Sequence, residues 1–116
     1  MLTPQFRAWL EHEHVWGRHA VQTIRRQRRL LLTETHGLER FTLRMGLVNL
    51  TGSVARWASG LGDGLNKVGR AETAALFAVS PPFAAADSTT EDCDRLAEYV
   101  ETRMKALDDL LAEDAA

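Results

Sequence analysis

The chain has 116 residues, 45% hydrophobic and 26% charged with a formal net charge of −2, which excludes a disordered or fibrous protein and fits one globular domain. Its one cysteine, Cys93, rules out an internal disulfide and a Cys-based metal finger, so a reducing, cytoplasmic location is expected. No window approaches about 18 uncharged apolar residues, and the first residues lack a basic start and an apolar run, so neither a membrane span nor a signal peptide is expected.

The first helix is predicted over about 4–35. Thr3 is placed to cap it and Pro4 sits where a missing N–H costs nothing. Phe6, Trp9, Trp16, Ala20, Ile24 and Leu31 gather on one face, interrupted by Glu13 and Gln27. Gly17 is a weak point inside it, and His36-Gly37 is the expected stop. The opposite face reads Arg7, Glu11, His14, Arg18, Gln22, Arg25 and Arg29, with His19 and Arg26 beside it.

The central segment carries the most regular pattern in the chain. Leu43, Leu47, Leu50, Val54, Trp57 and Leu61 follow four/three steps, and the same register continues through Val68 and Ala75. That is the seam of a helix burying a narrow stripe against partner helices. Six glycines lie within the segment, each costing about 0.8–1 kcal/mol relative to Ala in a helix interior. Gly46, Ser53 and Gly60 recur every seven residues and read as a flank that admits a close neighbour, within the chain or from another subunit. Gly60-Leu61-Gly62-Asp63-Gly64 reads as a turn, with Asp63 capping a further helix to Val79. The predicted segments are therefore 38–60 and 64–79, with one long kinked helix as the alternative.

Pro81-Pro82 ends that helix, and residues 80–90 read as a loop. Ser88-Thr89-Thr90-Glu91 has the capping-box pattern, opening a last helix over about 90–113 with 114–116 frayed. Cys93, Ala97, Val100, Met104, Leu107 and Leu111 form its apolar seam. No alternating strand pattern occurs. The fold class expected is all-α, a small bundle of three to four helices in a single domain over 1–116.

Chemistry-bearing motifs are scarce. Glu11 and His14 have the i, i+3 spacing of carboxylate-bundle metal sites, but matching pairs on other helices are absent, so His12, His14, His19 and His36 read as solvent-exposed side chains and no metal is expected. Cys93 lies on an apolar seam between acidic neighbours, which opposes thiolate chemistry. Gly60-x-Gly62-x-Gly64 is not a phosphate-loop fingerprint, and no strand precedes it. No catalytic residue and no cofactor are expected.

Charge carries the functional signal. Residues 1–45 hold eight Arg against four Glu, whereas 81–116 hold ten acidic groups against three basic ones. Arg outnumbers Lys by twelve to two, which suits bidentate contact with phosphate or carboxylate. Part of this polarity is explained if the acidic last helix lies near the basic first one. Four Arg in five positions, 25–29, exceed what nearby acids would pair. The expected function is a non-enzymatic subunit of a larger assembly that binds nucleic acid, RNA or DNA, through Arg18, Arg25, Arg26, Arg28 and Arg29. The alternative is a protein–protein module or homo-oligomeric adaptor with Trp9, Trp16, Gly46, Ser53, Trp57 and Gly60 at its contacts.

Overall fold

The computed structural model describes residues 2–82 and 89–115. Four helices follow in order: α1 Pro4–Thr33, α2 Gly37–Lys67, α3 Ala71–Phe77 and α4 Thr90–Ala115, with no strand among the described residues. Helices of about thirty residues are roughly 45 Å long, and the molecule is a rod of 52 × 21 × 19 Å. No helix is long and apolar enough to cross a membrane.

α1 begins as its sequence dictates. The Thr3 hydroxyl accepts a hydrogen bond from the Phe6 N–H at 3.1 Å, with Pro4 at the first helical position. It ends at Glu34, whose extended backbone leaves the helix. The Arg40 guanidinium then ties the connection, donating to the carbonyls of Leu31 and Glu34 at 2.6 and 2.8 Å. Gly37 is not the stop expected of it. It opens α2, and His36 is the residue before it.

α2 and α4 both run antiparallel to α1. Gln27 of α1 lies against Gly46 and Trp9 against Gly64, which fixes the direction of α2. Arg28 meets Asp94 and Arg7 meets the Leu111 carbonyl, which fixes that of α4. The three long helices bury Leu10, Ile24, Leu47, Val54, Leu61, Leu65, Leu96, Val100 and Leu107 along one continuous core. Trp57 is its hub. It stacks on Trp16 with centroids 5.5 Å apart, meets Phe77 edge-on at 6.2 Å, and donates its indole N–H to the Glu13 carbonyl at 3.1 Å.

The expected turn at Gly60–Gly64 is absent, and α2 runs unbroken from Gly37 to Lys67. Two of those glycines are positions of close approach. A Cβ on Gly64 would stand 2.5 Å from the Trp9 ring, and one on Gly62 would stand 3.4 Å from the Phe77 Cβ. Tertiary packing offsets the poor helix propensity. The break comes at Gly69, whose φ of +79° suits a residue without Cβ. Gly69 N–H donates to the Asn66 carbonyl at 3.1 Å and Arg70 N–H to the Leu65 carbonyl at 2.9 Å, the paired bonds of a Schellman end. The buried register therefore stops at Leu65. Val68 is 46% exposed and Ala75 is exposed, while Ala74 and Phe77 face inward from α3.

α3 is held from α4. Arg103 is only 5% exposed and has no carboxylate partner among the described residues. Its guanidinium lies over the Tyr99 ring at 3.4 Å and donates to the Tyr99 and Leu76 carbonyls at 2.9 and 3.0 Å. The Tyr99 hydroxyl donates to the Val79 carbonyl. Two side chains of α4 thus satisfy carbonyls that the end of α3 leaves without helical partners.

At the start of α4 the cap is Thr89, with Asp92 accepting from its N–H at 2.7 Å and its hydroxyl at 3.3 Å. The expected box was framed one residue earlier, on Ser88, which lies outside the described residues, as does most of the 80–90 loop. α4 continues to Ala115, past the expected end at Glu113.

Candidate nucleic-acid interface

The five arginines expected to form one phosphate-binding row divide into two sets. Arg25 donates to Glu101 at 2.7 Å and Arg28 to Asp94 at 2.8 Å, so both bridge α1 to α4. Arg18, Arg26 and Arg29 are exposed and make no ion pair among the described residues. The cause is rotation about α1. At 100° per residue the basic row spans two faces, and α4 packs along one edge of it. A readable signal existed on α4 itself: Asp94, Glu101 and Asp108 are spaced by seven and face Arg28, Arg25 and His14 in turn.

The remaining outer face of α1 carries the other arginines among neutral side chains. His19, Gln22, Thr23, Arg26 and Arg29 line a shallow concavity, and Arg18 lies one turn before Gln22. Glu11, the carboxylate on this face, is engaged by Arg7 at 3.1 Å. Three guanidiniums therefore face solvent without a neutralising carboxylate on their own side of the helix. Arg56 of α2, which the sequence pattern did not single out, is a further exposed guanidinium without an ion pair among the described residues. It donates to the Ser53 hydroxyl at 3.1 Å and borders a notch with Glu13, Trp16 and Trp57.

The residues read as contact anchors behave differently from one another. Trp9, Trp16 and Trp57 serve the chain's own core. Gly46 lies 3.4 Å beneath the Gln27 amide, by the position a Cβ would take. Ser53 donates to the Asn49 carbonyl at 3.3 Å, and a Cβ on Gly60 would meet nothing within 4 Å. The tightest approaches within the chain occur at Gly17 and Gly64, while Gly46 and Gly62 both have a neighbour at 3.4 Å. Gly17, read as a weak point, is where Met104 and Trp57 both press on α1, 2.9 and 3.1 Å from a Cβ there.

Of the histidines, His12, His19 and His36 are exposed as expected and His14 alone needs correction. His14 is not a solvated side chain. It is 16% exposed and meets Asp108 at 2.9 Å between α1 and α4. Its i, i+3 neighbour Glu11 points to Arg7, so the pair does not converge on a metal. Among the described residues, the one grouping of metal-type ligand atoms is Glu34, His36 and Glu39, all within 4.8 Å of one another. It lies on the α1–α2 turn, where the Glu34 carboxylate accepts from His36 N–H at 2.9 Å and lies 3.0 Å from its ring nitrogen. Those contacts hold the Glu34 carboxyl below the usual range. Arg40 donates to the carbonyl of the same Glu34, a cation already beside the cluster.

Cys93 is buried and free. Burial raises its thiol pKa, and the Asp94 and Asp92 carboxylates raise it further. It is a packed small side chain rather than a nucleophile.

No family model, curated protein or solved structure matches this chain.

Proposed function

We propose that the chain is a non-enzymatic helical module that holds the phosphate backbone of nucleic acid through Arg18, Arg26 and Arg29. One observation carries the reading: these three guanidiniums share a solvent face whose one carboxylate is taken by Arg7, while Arg25 and Arg28 serve the fold. From Arg18 to Arg29 the helix rises about 16 Å. Duplex DNA carries on the order of ten phosphate charges over that length, so three contacts are within reach. Such contacts position a backbone and read no bases, so the binding is independent of sequence. Guanidinium donors suit phosphate oxygens better than an ammonium would, because they bind in a fork.

Fluorescence anisotropy with labelled single-stranded DNA, RNA and duplex DNA at low salt tests the reading. The expected affinity for at least one of the three, carried to physiological salt, is that of non-specific binders, a Kd on the order of 10⁻⁴ to 10⁻⁶ M, and it is tighter at low salt. Absence of binding to all of them at low salt rejects it. The second reading is a protein–protein module. A specific observation favours it: Leu38 and Phe41, large apolar side chains, are 74% and 51% exposed.

A further inference from the structure

α2 has two apolar seams. The first, Leu43, Leu47, Leu50, Val54, Leu61 and Leu65, faces the core. The second is Leu38, Phe41, Met45, Val48 and Gly52, again in three/four steps. At 3.6 residues per turn these five fall within an arc of about 80°, nearly opposite the core seam. Leu38 and Phe41 are exposed, and Met45 and Gly52 are partly so; Val48, at the edge of the arc, is half-buried and also packs against the chain's own core. Farther along the helix the same outward arc reads Arg56, Ser59, Asp63 and Asn66, all exposed. The C-terminal half of α2 is therefore patterned as a protein surface on this side, and the N-terminal half as a second buried face. A helix apolar on opposite sides is built to be covered on both.

We propose that this face docks a second copy of the chain, the two α2 helices packing antiparallel about a two-fold axis near Met45. An isologous pairing makes each residue's partner follow from one register. With Met45 at the axis, Leu38 meets the partner's Gly52, and Phe41 meets the partner's Val48. Gly52 has room for it, since a Cβ there would meet only the Arg56 guanidinium, at 3.7 Å. Charge selects the same occupant. The register brings Arg56, whose hydrogen bond is to a neutral hydroxyl, level with the partner's Glu34–Glu39 turn. Of that turn's two carboxylates, Glu34 is held by His36 and Glu39 is exposed, and the turn's own Arg40 is engaged by the Leu31 and Glu34 carbonyls. The seam is about 21 Å long, at the small end of specific interfaces, so the association is expected to be weak and reversible. It uses none of Arg18, Arg26 or Arg29, and stands apart from the phosphate-binding reading.

Sedimentation of the full chain from micromolar to millimolar concentration tests the proposal, with two variants. Wild type is expected to pass reversibly from monomer to dimer, and Phe41→Asp to remain monomeric with an unchanged circular dichroism spectrum. Met45→Cys, a mild change on a partly exposed side chain, is expected to form a disulfide-linked dimer under air oxidation, whereas Val15→Cys on the far helix is not. Cys93 does not compete, being buried with a raised thiol pKa. A chain monomeric throughout, a dimer that Phe41→Asp leaves intact, or crosslinking of Met45→Cys no better than that of Val15→Cys overturns it.

Discussion

Arg25 and Arg28 lie among the same five positions of α1 as Arg26 and Arg29, yet the two pairs have different roles. The first pair ends on Glu101 and Asp94 and stitches two helices together. The second pair, with Arg18, faces solvent without a partner among the described residues. Sequence proximity and identical chemistry do not separate them; the angular position of α4 does. α2 repeats the contrast with apolar residues, one seam inside the core and one outside it. In both helices the side that the fold consumes is a matter of stability, and the side left over is where function is to be sought.

The consumed side gives the largest expected effects. Trp57→Ala removes the ring shared by Trp16, Gly17 and Phe77 and is expected to destabilise by about 3–5 kcal/mol in urea melts. Gly64→Ala and Gly60→Ala sharpen the comparison within one turn of helix. The first drives a methyl into the Trp9 ring and is expected to lose about 1–3 kcal/mol. The second points into open space and is expected to gain up to about 1 kcal/mol. A gain at Gly64 would mean that Trp9 does not pack there. Arg25→Gln and Arg28→Gln give the smallest shifts, about 0.2–1 kcal/mol each, because both pairs are about half exposed and screened. Those two variants should still bind nucleic acid. Loss of binding with either would erase the distinction between the two sets.

The sequence carried the helical class, the start of α1 at Thr3-Pro4, the break near Pro81-Pro82 and the start of α4, because those signals are local. It misplaced the α2–α3 break because a glycine's meaning depends on what stands across from it. Gly64 is needed by Trp9, 55 positions away in sequence, and Gly62 by Phe77, while Gly69 alone adopts the left-handed backbone. The arginine row was legible as a row. Its division was not, since that required knowing where α4 lies, although the seven-residue spacing of Asp94, Glu101 and Asp108 on α4 held the answer. Arg103 escaped notice for a related reason: it is buried by stacking on Tyr99 and by two carbonyls, not by a carboxylate.

The most direct test of the phosphate-binding reading is the salt dependence of nucleic-acid affinity, measured for wild type, for Arg25→Gln/Arg28→Gln, and for Arg18→Gln/Arg26→Gln/Arg29→Gln. Wild type and the first variant should show log K falling against log salt with a slope of about −2 to −3, as three phosphate contacts require. The triple variant should fold as wild type and lose both the affinity and the slope. A triple variant that binds with the wild-type slope, or a wild type with no slope at all, would contradict the account.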